Sequence, residues 1–516
     1  MDVLIKNARI IDGTGAKARI GNVGIEGGKI RLNDLPEEAG TVVDAKGKCL
    51  TPGFIDAHSH GDRVLGKDFA GLCKLNQGIT TDMAGQCGNS QAPFMEASPA
   101  EQFRLRWDTY ARHVEELPKA LNTGLFVGYN TIRVAVMGMT DRRPTAEETA
   151  RMREHLVNAM EHGAFGMSSG LAYVPGTFAT TDDVVDVASA MAPYGGIYTT
   201  HMRNESFDLV ASVKEALEIG RRAGVAVNIS HFKAMGRRNW GSVGQAIAVI
   251  EEARAAGQRV TVDQYPYNCS MTGLHPSMPP WYFNEGIDHM LDLISKPEMR
   301  AKIRREMEDP DTPYENLYLN AGGWDGITIC LTPKTPEAEG LTVQEYAEKQ
   351  GKDPFDAFFD LLIENHSVAS GVYHSIGDDD IFEIIRLPYC MVGTDGIVLS
   401  PVKMCHPRGW GSMVHAIIEF TKKRQILSIE ELVRKMTGLT ADTYGLAGKG
   451  YIKEGYDADL VLFDDDRLDD RATYKKPTEL AGGVEIVFVG GEAVYREGAL
   501  TGAMPGKILR PGRKMN

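Results

Sequence analysis

Residues 53–62 read GFIDAHSHGD. An apolar run from Phe54 to Ala57 ends in two histidines, His58 and His60, one residue apart. Alternate side chains of a strand share a face, so both imidazoles point the same way. Two such groups at the end of a buried strand either decorate a surface or hold something. What the other strand-like runs end in decides between these.

Seven further runs of this kind follow: GITTDMAGQ (78–86), GLFVGYN (124–130), AFGMSSG (164–170), GIYTTH (196–201), AVNISH (226–231), VTVDQY (260–265) and YCMVGTD (389–395). Helical patterns lie between several of them, such as TAEETARMREHLVNAMEHG (145–163), FDLVASVKEALEIGRRAG (207–224) and VGQAIAVIEEARAAG (243–257). Strand then helix, repeated, marks parallel β/α units. Eight strands is the number of a closed (β/α)8 TIM-like barrel; an open doubly wound sheet is the competing α/β arrangement. The barrel stretch is expected over 51–448. Residues 1–50 and 449–516 are different: short alternating runs broken by Gly and Asn, the pattern of strands and tight turns. A small β-sandwich domain built from both termini is expected there. Between the seventh and eighth runs lies a span from about 266 to 388, too long for a plain loop. It is expected to carry its own structure, a lid or subdomain over one mouth of the barrel.

Barrel enzymes place chemistry at the C-terminal ends of their strands. The first run ends in His58 and His60, the second leads to Cys87, the fifth ends in His201, the sixth in His231 and the eighth in Asp395. Singly, each has an ordinary explanation: a hydrogen-bonded histidine, a small buried cysteine, an aspartate in a turn. Six at one mouth are harder to dismiss. His, Cys and Asp are the ligand types of zinc and other first-row metals.

The 516 residues carry a formal charge of −14, which disfavours nucleic acid and anionic membranes as partners. No secretory signal and no apolar run of about 18 residues is visible. The seven cysteines are scattered and form no CxxC pair, which reads as reduced thiols in the cytoplasm.

TPGFIDAHSHGD (51–62) and GYDADLVLFD (455–464) resemble the amidohydrolase superfamily. GQCGNS (85–90), GLAYVPG (170–176), THMRNE (200–205), SHFK (230–233), GTDG (393–396) and HPRGWG (406–411) resemble, more narrowly, its N-acyl-D-amino-acid deacylases, or D-aminoacylases. The resemblance implies a barrel with a terminal β-sandwich and zinc-dependent hydrolysis of N-acyl-D-amino acids. It implies that Cys87, His201 and His231 hold the tighter Zn2+. His58, His60 and Asp395 then line a second, weaker metal position. Many members of the superfamily bridge two metals with a carboxylated lysine from the fourth strand. AFGMSSG has none, and Cys87 takes the bridging role. A metal there acidifies a water towards a pKa of about 7 and polarises the amide carbonyl, while Asp395 takes the water's proton and returns it to the leaving amine. The substrate's free carboxylate needs polar and cationic partners. Arg408, Lys233 and Tyr173 match the positions the family uses, and Tyr265 and Ser277 are further candidates. No additional basic residue is assigned to an acidic side chain, which favours neutral or hydrophobic amino acids. Two departures stand out: Asn204, where the family usually has aspartate, and the length of the 266–388 span. Other readings are a hydantoin- or dihydropyrimidine-type cyclic amide hydrolase, a dipeptidase, and an inactive barrel serving as a scaffold.

Overall fold

A computed structural model describes residues 1–396 and 406–512, with backbone only for 68–70; residues 513–516 of the expected C-terminal stretch lie outside the described residues. Both ends of the chain enter one nine-stranded sheet. The N-terminal end supplies Val3–Ile10, Arg19–Glu26, Lys29–Arg31, Thr41–Asp44 and Cys49–Pro52; the C-terminal end supplies Leu460–Phe463, Val484–Val489, Glu492–Arg496 and Ala499–Leu500. They join where Cys49–Pro52 pairs antiparallel with Leu460–Phe463. Alternation divides that join. Leu50, Leu460 and Leu462 enter a local apolar core with Ile5, Val23 and Ile25. Cys49, Val461 and Phe463 enter the main core of the chain instead. The pairing is a single branched sheet.

All eight expected parallel strands form. They are β1 (Phe54–Ser59), β2 (Ile79–Ala84), β3 (Asn122–Leu125, resuming as Val127–Gly128), β4 (Gly166–Gly170), β5 (Ile197–His201), β6 (Ala226–Ile229), β7 (Val260–Gln264) and β8 (Cys390–Val392). Their pairing follows chain order, unlike a doubly wound sheet, whose order doubles back. The ladder is not one closed ring, however. It forms two arcs, β1–β2–β3 and β3–β8, that part at Phe126 within the third strand. Between β8 and β1 a single parallel bridge, Ser59 to Gly396, stands in for a ladder. The strands are buried almost throughout, as parallel strands covered on both faces must be. Outer helices include Ala146–Glu161 and Thr181–Ala188. Each of these starts at a capping box, Thr145 with Glu148 and Thr180 with Asp183, which satisfies the first free N–H groups of the helix.

Register aligns the strand ends. Gly170 is level with His201, Thr200 with Ile229, Ile229 with Val262, and Gln264 with Val392. The residues just past these positions therefore meet at one mouth.

The span 266–388 carries its own structure. Ser370–Tyr373 is the centre of a three-stranded antiparallel sheet flanked by Ser270–Gly273 and Ile327–Cys330. Helices Pro297–Glu308 and Pro354–Glu364 pack beside it, with Trp324 wedged between Phe355 and Phe358 at ring-centroid distances of 4.9 and 4.7 Å. The last helix of the span, Asp378–Ile385, packs on β7 and β8 and serves as the crossover between them. No helix among the described residues is long and apolar enough to cross a membrane. The six described cysteines are all buried.

Candidate metal centre

The six strand-end residues come together. One donor atom each from His58, His60, Cys87 and Asp395 lies within 4.8 Å of the others, and the same holds for Cys87, His201 and His231. Cys87 belongs to both groups. Its Sγ is 3.3 Å from His58 Nε2 and 3.3 Å from His231 Nε2. His201 Nδ1 is 2.9 Å from His231 Nε2, and His60 Nε2 is 3.1 Å from Asp395 Oδ1.

Three of these residues have left-handed backbone: Cys87 (φ 54°), His231 (φ 36°) and Asp395 (φ 48°). Such conformations cost about 1–3 kcal/mol each and persist where surrounding structure enforces them, commonly at functional sites. Glycines beside Cys87 and Asp395 permit close packing there. A Cβ on Gly88, itself at φ 76°, would stand 2.3 Å from Asn130 Oδ1, and one on Gly393 would stand 2.8 Å from His58 Cβ. The close approach at Gly393 brings Asp395 N–H to donate to the carbonyl of His58 at 2.8 Å.

The donor set fits a metal. His231 Nδ1 lies 3.0 Å from Glu205 Oε1, and His58 Nδ1 lies 3.2 Å from Asp263 Oδ1. A carboxylate near the outer nitrogen is the usual setting of a metal-binding histidine, and at His231 the Lys233 ammonium also lies 2.9 Å from Nδ1. His201 presents Nδ1 to the cluster and Nε2 to Glu205 Oε2 at 3.7 Å. One buried carboxylate thus stands behind two histidines. Lys233 Nζ, 2.6 Å from Glu205 Oε2, balances its charge.

Burial and neighbours set the protonation states. Desolvation lowers His201 and His231 well below the ordinary histidine range, with Lys233 adding to the effect on His231. Both are neutral and free to donate a lone pair. Burial, helped by the charges of Arg63 and His58 and opposed by Asp395, brings His60 down to about 4, and burial pushes the Cys87 thiol up. A metal bound at Cys87 therefore displaces a proton. Burial opposes charge on His58, but Asp263 and Cys87 beside it hold its pKa well above the usual range. Burial also opposes charge on Asp395. The Arg408 guanidinium, with Nη1 at 2.7 Å from Oδ2, overcomes it and keeps this carboxyl well below the usual carboxylate range.

The cluster forms the floor of a cavity of about 620 Å³. Tyr173, Lys233, Tyr265 and Arg408 all line it. The Tyr173 ring lies 4.5 Å from that of His201, and Arg408 sits over the Tyr265 ring at 5.0 Å. Both cations already have carboxylate partners: Arg408 holds Asp395 and Lys233 holds Glu205. Ser277 is the exception among the expected site residues. It is fully buried and does not line the cavity; its hydroxyl is 3.1 Å from Tyr373 OH and its carbonyl accepts from Tyr314 OH. The antiparallel sheet next to it turns Ser277 inward to brace the 266–388 span. That span contributes Met271, Leu317, Leu331, Val368 and Glu315 to the cavity wall. Asn204, the departure near His201, accepts from Ser206 N, Ser206 Oγ and Asp208 N, and so shapes the loop that leads into helix Leu209–Ala223.

Three carboxylates of this site escaped the strand-end reading. Asp263 is the last but one residue of β7, inside the strand rather than at its end. It holds His58 Nδ1 and also accepts from His231 N at 2.8 Å. Glu205 follows His201 by four residues in a loop without periodicity. Glu315 arrives from the 266–388 span, where sequence gives no register; its carboxylate accepts from Glu205 N, and burial beside Glu205 pushes its pKa up.

Residues 41–231 and 332–495 match the amidohydrolase family. The chain is 34% identical to a D-aminoacylase of Alcaligenes xylosoxydans xylosoxydans, over 98% of this chain and 97% of that protein. It is 35% identical to an N-acyl-D-aspartate deacylase of the same organism, over 99% and 95% respectively. A crystal structure of N-acyl-D-glutamate deacylase from Bordetella bronchiseptica, complexed with zinc and a phosphonate mimic of the tetrahedral intermediate, superposes with a TM-score of 0.83 at 31% identity, covering 99% of each chain.

Proposed function

Because the chain belongs to the amidohydrolase family, in the branch of the D-aminoacylases, we propose that it is a zinc-dependent hydrolase of N-acyl-D-amino acids, releasing a carboxylate and a free D-amino acid. The observation that carries this reading is the meeting of Cys87, His201 and His231 with an ionised, arginine-held Asp395 on one cavity floor.

Zinc held there supplies an acidified water and a Lewis acid for the amide carbonyl. His58 and His60 would line the second, weaker position. Asp395 acts as general base and then general acid: Oδ2 is occupied by Arg408, and Oδ1 takes the proton and returns it to the leaving amine. Arg408 has donors to spare, since a guanidinium carries five N–H groups. Nη1 faces Asp395 and Nη2 donates to the Met271 carbonyl, leaving others for the substrate carboxylate. Lys233, Tyr173 and Tyr265 complete that subsite. Met271, Leu317 and Leu331 suit a neutral or hydrophobic side chain, and the Glu315 carboxyl opposes an acidic one. Strand order and the Ser59–Gly396 bridge support a single barrel around this mouth. Seven scattered cysteines with no CxxC pair support a reducing compartment, the cytoplasm.

The test is a panel of matched N-acetyl-D- and N-acetyl-L-amino acids with neutral and acidic side chains. Neutral D-substrates are expected to react fastest, with L-forms slower by about 10². Asp395→Asn should lower kcat by about 10²–10⁴-fold with zinc content unchanged. Ring opening of a hydantoin without N-acyl hydrolysis would replace this reading with the cyclic amide one.

A further inference from the structure

Behind His58 and His60 lies a second buried charge cluster that the steps above do not use. Lys74 projects from helix Asp68–Leu75 and its side chain is only 4% exposed. Its ammonium, with three N–H donors, has four oxygens within hydrogen-bond reach: Asp56 Oδ2, Ser59 Oγ at 2.9 Å, Asp82 Oδ1 at 3.2 Å and Thr394 Oγ1 at 3.2 Å. These come from β1, β2 and the loop after β8. Asp56 lies two residues before His58 and shares its face of β1. Its carboxylate accepts from Thr394 N and Thr394 Oγ1, both at 2.7 Å, and from His58 N at 3.3 Å.

The position of this cluster gives it a role. Among the described residues it occupies the junction between neighbouring strands that has no ladder, where β1 and β8 share the Ser59–Gly396 bridge. Across that junction His60 and Asp395 must meet at 3.1 Å. Ser59 sits between the two histidines, and Thr394 immediately precedes Asp395. Both hydroxyls that Lys74 holds also accept from the backbone beyond, Ser59 Oγ from Gly61 N and Thr394 Oγ1 from Gly396 N.

We propose that Lys74 is a positioning residue: its ammonium clamps β1 to the loop after β8 and thereby fixes Asp395 relative to His58 and His60. Its kinetic consequence rests on the hydrolase reading above; its structural consequence does not. Lys74 touches no substrate and acts through Thr394 and Ser59.

Thr394→Val removes one arm of the clamp without leaving a buried charge. Lys74→Met removes the whole of it. Both are compared with the zinc-loaded wild type by steady-state kinetics and by hydrogen exchange of peptides containing 59–61 and 393–396. In Thr394→Val we expect kcat to fall about tenfold with KM within about twofold, zinc content retained, and exchange faster in both peptides. The double variant should be no worse than Lys74→Met alone within about twofold, as for residues acting through one contact. Unchanged kcat, unchanged exchange at the two peptides, or multiplicative losses in the double variant would each overturn the proposal. If Lys74→Met does not fold, Thr394→Val decides alone. If the wild type hydrolyses no N-acyl amino acid, the functional reading fails and the exchange data alone decide the clamp.

Discussion

The two halves of the metal centre share Cys87 but are built differently. His201 and His231 stand on adjacent strands thirty residues apart in the chain, and their support comes from Glu205 and Lys233 close by in sequence. His58, His60 and Asp395 join the first strand to the last, and their support, Asp56, Lys74 and Arg408, spans more than three hundred residues. The first half has a ladder beneath it; the second has a single bridge and a clamp. Local contacts cost less loop entropy to assemble than distant ones. The first half is suited to holding a metal whatever happens at the junction, and the second to placing a proton-transfer group.

That contrast can be broken most severely at Cys87, the shared donor. Cys87→Ala should strip zinc from the protein and bring turnover to background, measured by metal analysis alongside the assay. Retained zinc with normal turnover would mean that the thiol only packs the core. A smaller effect is expected from Glu205→Gln, which keeps shape but loses the charge behind His201 and His231. Zinc affinity should fall about 10–100-fold, the usual effect of losing a carboxylate behind a ligand histidine. An unaltered affinity would move the support of this half elsewhere. The mildest probe is pH. Burial raises the Cys87 thiol, so the metal-free protein holds a proton there that binding must displace. Zinc affinity should therefore rise with pH, by about tenfold per unit for each proton released. Competition with a chelator at pH 6 and pH 8 measures this, and a flat response would exclude a protonated thiol in the metal-free state.

Most of the first half was legible in the sequence. Parallel strands covered on both faces are continuous apolar runs, and a polar residue where such a run stops is conspicuous; His201 and His231 stand out in this way, as does Asp395 in the second half. Asp263 gives a weaker signal, because it lies inside β7 and the run continues through Gln264 and Tyr265. Glu205 was not legible, because a loop residue has no period to place it. The pairing of Arg408 with Asp395 was not legible either. Residue types suggest which charges seek partners, but here the partner is chosen by the turn past β8 and by Gly393. Ser277 failed for a related reason: within the 266–388 span an antiparallel sheet decides which side chains face the cavity, and its register comes from pairing Ser270–Gly273 with Ser370–Tyr373, a hundred residues away. The closed ladder was the natural expectation from eight strands in order. Counting strands does not reveal that β8 is only three residues long and leaves its neighbour at Gly393.

The 266–388 span also has a consequence in time. A polypeptide leaves the ribosome from its N-terminus, and Cys87, His201 and His231 all precede the span, whereas Asp395 and Arg408 follow it. A chain interrupted anywhere within those residues already contains every proposed donor of the first half and lacks both the proposed base and the arginine paired with it. Capture of a metal and the power to cleave an amide are thus separated by the synthesis of an entire cavity wall.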